Sequence, residues 1–242
     1  MTAATPARPA APVLGSLRWV VRHRAWTPYH LVRYWRFALF KLRHPNVRTE
    51  GLVFLGRRVE VSVRRGYGRV VLGRWVHLGE DTRLRCHEGT LRIGDKSVFG
   101  RDSTVNCYLD VEIGPATMVS DSVYICDFDH VTARLDLPIK DQGIVKAPVR
   151  IGGGSWVGTK VTVLRGTEVG RGSVVAAGAV VRGTFPDHSV LAGVPARLVK
   201  VRAARPGDGS GAATSSTAGT TGTAEPRGVS GGHIVRGTPP AS

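Results

Sequence analysis

The sequence predicts an all-β fold, a parallel β-helix of about six coils in which the chain winds round a narrow three-sided prism. Three observations predict it: an aliphatic residue recurs at every sixth position, a small residue often follows four positions later, and glycine is abundant, with 31 in 242 residues. A period of six fits neither an amphipathic helix nor the two-residue alternation of a hairpin strand. It fits a short strand followed by a turn, and three such sides make a coil of about 18 residues.

The N-terminal part differs from the repeat. Residues 1–15 are rich in Ala and Pro, and we expect them to be disordered. Residues 16–48 form a basic segment in which Pro28 separates two predicted helices. The second helix places its apolar side chains on one face: Leu31, Tyr34, Trp35, Ala38, Leu39 and Leu42. Either this face packs as a cap on the main domain, or it lies on an anionic membrane surface.

The repeat occupies residues 50–201, and its clearest part begins at Ile151. The aliphatic positions there are Ile151, Val157, Val163, Val169, Val175 and Val181. The small positions are Ser155, Val161, Thr167, Ser173 and Ala179, and Gly152, Gly158 and Gly170 directly follow an aliphatic residue. We predict coil starts at residues 55, 72, 93, 113, 151 and 169, and we expect residues 202–242, which have few large apolar side chains, to be a disordered tail.

One loop interrupts the repeat. Ile113 and Ile151 are 38 residues apart, about 20 more than one coil requires, and the excess falls at residues 127–148. The loop opens with three ionisable residues in four positions: Asp127, Asp129 and His130. A single break in a regular repeat, by a loop that begins with three ionisable residues, needs an explanation, and the resemblance described below implies that the loop carries the functional site.

Charge and cysteine content restrict the class of protein. The formal charge is +16, but residues 1–50 carry nine Lys or Arg against the single acid Glu50, and no basic run interleaved with aromatic residues is present, so we expect no nucleic-acid partner. Cys86, Cys107 and Cys126 lack the spacing of a zinc site, and Cys86 and Cys107 share one phase of the repeat, which predicts stacked buried thiols. With no signal peptide visible either, we expect a cytoplasmic protein, with peripheral contact at the inner face of the membrane through residues 16–44 as a further expectation.

The segment Trp156 to Lys200, with its "AGVPAR" ending, resembles the closing coils of the hexapeptide-repeat acyltransferases, closest to the galactoside and maltose O-acetyltransferases and polysaccharide O-acetyltransferases. The resemblance covers roughly residues 50–201. It implies a left-handed β-helix, a homotrimer, and acetyl-CoA or another acyl-CoA bound in the groove between neighbouring subunits, without a metal. The implied acceptor is a hydroxyl of a sugar, oligosaccharide or glycolipid precursor.

The resemblance also implies roles for individual residues. His130 becomes the general base, which suits an imidazole because its pKa is close to working pH. Asn106, Asp127 and Asp129 become substrate-binding residues. The residues expected to bind the cofactor are Trp156, Thr159, Ala177, Arg182, Arg197 and Lys200, and Gly183 stands where relatives often carry Lys, which puts a phosphate contact at that position in doubt.

Two alternatives stay open, and a third is disfavoured by the positions of the histidines. The same fold and a similar base would serve N-acetylation of an amino sugar. The chain could instead be a non-catalytic β-helix scaffold or binding protein. A zinc-dependent carbonic anhydrase of this fold needs three converging histidines, and His77, His87 and His130 lack the paired spacing of that class.

Overall fold

The computed structural model describes residues 27–203, and the prediction of an all-β coiled fold is confirmed. The predicted helix before Pro28 and both segments expected to be disordered lie outside the described residues, except for the short stretch 202–203. One α-helix, α1 (Pro28–Arg43), precedes the strands. Three parallel sheets then form the three faces of the left-handed prism, with about six coils.

Each face is a ladder of short strands contributed by successive coils. The first face contains β1 (Arg48–Thr49), β4 (Gly68–Leu72), β7 (Gly89–Ile93), β10 (Asp110–Ile113), β15 (Val149–Ile151), β18 (Glu168–Val169) and β21 (Thr184–Phe185). The second face contains β2 (Phe54–Leu55), β5 (His77–Leu78), β8 (Val98–Phe99), β11 (Met118–Val119), β16 (Trp156–Val157), β19 (Val174–Val175), β22 (Ser189–Gly193) and the antiparallel β23 (Ala196–Val201). The third face contains β3 (Glu60–Val63), β6 (Arg83–Cys86), β9 (Thr104–Cys107), β12 (Tyr124–Cys126), β17 (Thr162–Val163) and β20 (Val180–Val181).

The aliphatic residues that recur every six positions line the interior of the prism. The predicted aliphatic positions are buried, and in the register of the first face Ile93, Ile113 and Ile151 stack in successive coils. The small positions, such as Ser155 and Ser173, are buried where the chain turns. Each strand is too short to be stable alone, so the stability of the fold comes from coil-on-coil stacking.

The glycine after the aliphatic residue marks a close approach between coils. A Cβ at Gly152 would lie 2.3 Å from the backbone nitrogen of Arg171, and one at Gly170 would lie 2.4 Å from that of Asp187. Those separations are well inside van der Waals contact, so any larger side chain would push the next coil away.

Two expectations need correction. The predicted coil start at Leu55 is wrong, because Leu55 pairs with Leu78 on the second face, whereas Thr49 pairs with Leu72 on the first. The second correction concerns which side chains of α1 face the prism, since the predicted apolar face does not make the main contact. The helix packs on the first coil through Phe37 and Phe40.

The predicted apolar face of α1 instead points largely away from the prism. Trp35 is 66% and Leu42 is 79% exposed, and Leu31 and Ala38 on the same stripe are exposed as well. Among the described residues, no helix is long and apolar enough to cross a membrane.

Candidate active site

The interruption is a small hairpin at one edge of the prism. Coil four ends at Cys126, and the next coil resumes at Val149 in register with Val111, as if no residues lay between. Within the interruption, β13 (Phe128–His130) and β14 (Ile144–Lys146) pair antiparallel, and a short 3-10 helix (Ile139–Asp141) lies near the tip. We call the edge that carries this hairpin, between the third face and the first face of the next coil, the hairpin edge.

Asp127 anchors the hairpin from inside the protein. It is fully buried, and its carboxylate accepts hydrogen bonds from the backbone N–H groups of Tyr108, Leu109 and Asp110, each at 2.8 Å. Its own carbonyl accepts the N–H of Ala147 at 2.9 Å and so closes the base of the loop. The expected substrate contact of Asp127 is therefore corrected: both carboxylate oxygens are committed to the backbone of the coil below.

Asp129 and His130 follow on β13 with different environments. Asp129 forms a 2.6 Å ion pair with Arg165 of the next coil, and this pair ties the hairpin to that coil. The His130 side chain is exposed, and its ring lies 6.2 Å from the ring of Phe128 in an edge contact. The histidine thus stands at the surface on a hairpin whose base is fixed at two points.

Asn106 lies close to this base. It is the register partner of Cys126, one coil below, and its Nδ2 donates to the hydroxyl of Tyr124 at 3.0 Å. Burial raises the pKa of Tyr124, so the phenol stays protonated at neutral pH. Tyr124 was not among the predicted site residues, although its position two residues before Cys126, on an outward-facing phase of the repeat, was a signal that could have identified it.

The residues expected to bind the donor lie elsewhere. Thr159 and Ala177 are exposed one coil apart at the edge between the second and third faces, where the N–H of Gly178 bonds the carbonyl of Thr159 at 2.9 Å. Trp156 lies on the second face and donates from Nε1 to the hydroxyl of Ser120 at 3.0 Å. Arg197 and Lys200 are exposed on β23 of the same face.

We call the edge between the second and third faces the Thr159 edge. It is a different edge of the prism from the hairpin edge. Arg182, exposed after β20, is on the hairpin edge two coils beyond Cys126. One protomer therefore carries Asn106, Asp129 and His130 at the hairpin edge and Thr159 and Ala177 at a different edge. The two groups could meet only if the hairpin edge of one copy faced the Thr159 edge of another.

Cysteines and histidines do not form a metal site among residues 27–203, where no cluster of three or more possible ligands occurs. Cys86 and Cys107 are buried register partners, as predicted, and all three cysteines are free. His77 lies on the second face beneath α1, away from His87 and His130.

Comparison with known proteins gives two informative relatives. The chain is 54% identical over 189 residues to a probable acetyltransferase of Mycobacterium tuberculosis, covering 78% of this chain and 63% of that protein. It is 39% identical over 115 residues to a putative lipopolysaccharide biosynthesis O-acetyl transferase of Escherichia coli, covering 42% of this chain and 59% of that protein. The chain therefore spans about three fifths of the length of these relatives, and no protein-family model matches it.

Among solved structures, the fold is similar to an N-acyltransferase from Bacillus cereus crystallised with dTDP and 3-hydroxybutyryl-CoA. The TM-score is 0.58 at 16% identity, over 68% of this chain and 88% of that one. At this identity the likeness supports the coiled fold alone.

Proposed function

We propose that the chain is a hexapeptide-repeat acyltransferase and that it transfers an acyl group, most simply acetyl from acetyl-CoA, to a hydroxyl of a sugar, oligosaccharide or glycolipid precursor. The observation that carries the proposal is His130: a surface histidine on a hairpin that interrupts the coils once and is fixed at its base by Asp127 and Asp129. A scaffold without chemistry would have no need to hold an exposed imidazole in this way.

The proposed chemistry is direct transfer. The neutral imidazole of His130 takes the proton of the acceptor hydroxyl as that oxygen attacks the thioester carbonyl. The C–S bond then breaks, and the imidazolium returns the proton to the departing thiolate, so the products are an O-acyl ester and free CoA. No covalent enzyme intermediate is needed, because the thioester is already activated.

The other residues take supporting roles in this proposal. Asn106 and Tyr124 offer an amide and a phenol to acceptor hydroxyl groups. An N–H group near Thr159 stabilises the oxyanion, and Ala177 and Trp156 line the path of the pantetheine arm. Arg182, Arg197 and Lys200 meet the phosphates of the donor, where cations are favourable.

A homotrimer would complete this site. The outward positions of the second face form a stripe of apolar side chains in one register, in which Val98, Met118 and Trp156 are 43%, 54% and 48% exposed. The tip of the hairpin also exposes Leu135, at 99%, and Ile139. Stripes and tips of this kind indicate a surface that another copy covers, and such packing would bring a hairpin edge to a Thr159 edge.

Membrane contact is a second part of the proposal. The exposed stripe of α1 contains Leu31, Trp35 and Leu42, basic residues flank it, and the helix has no acid. An anionic bilayer is the partner that matches both its apolar and its charged parts. We expect the chain to float with vesicles containing phosphatidylglycerol, and the variant W35E/L42E to stay in the soluble fraction. Equal flotation of the two proteins would contradict this contact.

The first experiment is thermal unfolding with acetyl-CoA, free CoA or octanoyl-CoA. A ligand that binds only the folded state stabilises it by about 2.7 kcal/mol at one hundred times its Kd, so acetyl-CoA should raise the midpoint. A larger rise with octanoyl-CoA would assign a longer acyl donor. No rise with any of the three would refute the donor and favour a non-catalytic β-helix.

The second experiment replaces the base. His130→Ala should keep the shift caused by acetyl-CoA and lose at least roughly 100-fold in transfer rate, the usual contribution of a general base. His188→Asn is the matched control, because His188 is also exposed and Asn tolerates its positive φ of 61°. A panel of sugars with hydroxyl or amino groups decides between O-acylation and the alternative, N-acylation of an amino sugar. Retention of the rate in His130→Ala would refute the mechanism.

A further inference from the structure

A cavity of about 700 Å³ lies between α1 and the second face of the first three coils. Its apolar lining includes Val32 of α1 and the buried side chains of Phe54, Leu78 and Phe99. Its size is within the range of sites that hold small molecules. Of the residues assigned above to acyl transfer, none is among those that line it. We call it the α1 cavity.

The charges around the α1 cavity are unbalanced. Among the described residues that line it, four arginines face one carboxylate, that of Glu80, and the arginines are Arg33, Arg36, Arg57 and Arg101. Glu80 pairs with Arg57 at 3.1 Å and with Arg101 at 3.3 Å, so one negative charge serves two positive ones. A concave surface lined mainly by charges of one sign attracts ions of the opposite sign.

Two neighbouring ion pairs show a different balance. Arg58 donates two hydrogen bonds to Asp81, at 2.6 and 2.7 Å, and the guanidinium of Arg74 donates two to Asp95, at 3.1 and 2.8 Å. Arg36 instead donates a 3.5 Å hydrogen bond to the carbonyl of Leu55, which carries no charge. The surplus of cations is therefore greater at the α1 cavity than at these other corners of the same coils.

A smaller cavity of about 330 Å³ continues the basic surface, since Arg36 and Arg57 line both cavities. Arg43 and Arg58 also line it, and the described residues around it include no carboxylate. Residues 1–27, which precede α1 in the chain, contain no Asp or Glu. The segment next to α1 in the sequence therefore has no negative side chain that could balance the arginines.

The apolar side of the α1 cavity adjoins the exposed stripe of α1. Val32 lines the cavity and is 48% exposed. Leu31 of the stripe precedes it in the helix, and Trp35 follows one turn later. A ligand whose charged group lies among the arginines could thus continue as an apolar chain along Val32, whereas an inorganic anion would use only the charged part.

We propose that the α1 cavity binds the phosphate headgroup of an anionic amphiphile, whose apolar chain lies against Val32 and Phe54. Guanidinium groups bind phosphate oxygens through paired, charge-assisted hydrogen bonds, and a partly buried setting strengthens them. This site goes beyond the acyl-transfer reaction. It also goes beyond the membrane contact proposed above, which needs only a charged surface, because it predicts one bound headgroup per chain.

Short-chain lipids test the site without a bilayer. Isothermal titration of the full chain would use dihexanoyl phosphatidic acid, dihexanoyl phosphatidylcholine and inorganic phosphate, with both lipids kept below the concentration at which they form micelles. We expect phosphatidic acid to bind once per chain and at least roughly 10-fold more tightly than either other probe, because it alone offers both the anionic headgroup and the apolar chain.

Three results would contradict the proposal. The first is that phosphatidic acid shows no saturable binding. The second is that phosphatidylcholine binds as tightly as phosphatidic acid, which would exclude recognition of an anionic headgroup. The third is that inorganic phosphate binds as tightly, which would exclude an amphiphile as the ligand.

Removal of single charges separates the cavity from the rest of the basic surface. Arg36→Gln keeps a donor for the carbonyl of Leu55, and Arg101→Gln changes a side chain that is 67% exposed, so both proteins should fold. Each should weaken binding of phosphatidic acid roughly 10-fold, the effect of losing one charge-assisted hydrogen bond. Arg48→Gln removes an exposed arginine that does not line the cavity, and it should bind as the parent does. Parental affinity in both Arg36→Gln and Arg101→Gln would overturn the inference.

The same proteins distinguish this inference from the proposed function. Arg101→Gln should keep the thermal shift caused by acetyl-CoA, and loss of that shift would assign the cavity to the acyl donor and overturn the inference. Binding of phosphatidic acid without any effect of acyl-CoA would leave this site standing and refute acyl transfer. A protein that binds phosphatidic acid in solution but does not float with vesicles would keep this site and lose the proposed membrane contact.

Discussion

Three neighbouring ionisable residues have three different roles. Asp127 is an internal anchor for backbone amides, Asp129 is an ion-pair partner of Arg165, and His130 is exposed on the hairpin. The two carboxylates thus fix the position of the hairpin, whereas the side chain of His130 remains exposed on it. This division explains why so polar a segment can be firmly attached to an apolar prism.

The role of Asp127 leads to a stability prediction. Asp127→Asn should lower the free energy of unfolding by about 1–3 kcal/mol, because the charge is lost and an amide N–H₂ faces backbone donors in a buried site. Chemical denaturation monitored by circular dichroism would measure it. Asp129→Asn is the control and should cost less, since its pair with Arg165 is partly exposed. Equal losses in the two variants would contradict the assignment.

The sequence could predict where the coils are interrupted but not what each residue of the interruption contacts. The broken repeat identified residues 127–148, and the stacked thiols Cys86 and Cys107 followed from their shared phase. Burial of Asp127 depends on the N–H groups of a two-residue corner in the coil below, at Tyr108 and Leu109. A linear pattern carries no information about the direction of those N–H groups.

Among the elements, the six-residue period was sufficient to predict the buried positions of the coils. The apolar pattern of α1 was not sufficient to predict which face of the helix packs. Each buried aliphatic position is fixed by the coil above and below it, so periodicity alone identifies it. The helix has two apolar stripes, and the one with more residues, Leu31 to Leu42, is exposed. Phe40 is buried and Phe37 partly buried instead, and both pack against the hydrophobic core.

The contact between α1 and the second face produces a pH dependence. Burial, together with the charge of Arg33, lowers the pKa of His77 from 6.5 to about 4 in the folded protein. Between these values the unfolded chain binds a proton that the folded chain does not, so the contribution to stability is complete above about pH 6.5 and is lost as the pH falls towards 4.

A substitution isolates this effect. His77→Phe keeps a ring against Phe54, 4.4 Å away in the parent, and cannot be protonated. Thermal midpoints of the two proteins should be measured from pH 7 to pH 4. We expect the parent to lose stability relative to the variant as the pH falls through this window. A difference that stays constant with pH would show that His77 does not titrate on unfolding.

Across the described coils, the first and second faces differ in their outward chemistry. The first face carries the alternating charges of Arg92, Glu112 and Arg150 in register, whose ion pairs suit contact with water. The second face carries Val98, Met118 and Trp156 at the equivalent positions. Of these two patterns, only the apolar stripe of the second face would be stabilised by burial, and the proposed trimer would bury it.

Introducing a charge on each face tests this difference. Met118→Asp should convert the trimer into monomers without unfolding them, because an exposed substitution usually changes stability by less than about 0.5 kcal/mol. Thr184→Asp places the same charge on the first face and should leave the assembly unchanged. Sedimentation velocity would measure both masses, and an intact trimer in Met118→Asp would exclude the second face as the interface.

The interruption between β12 and β15 has an evolutionary consequence. Val111 and Val149 pair as neighbours although 38 positions separate them in the chain. The inserted residues therefore leave the stacking of the coils unchanged. Evolution can therefore change the length and sequence of this hairpin while the six-residue repeat stays the same. Relatives with different substrates should diverge there first, and exchanging the hairpin between them should transfer preference without having to rebuild the protein.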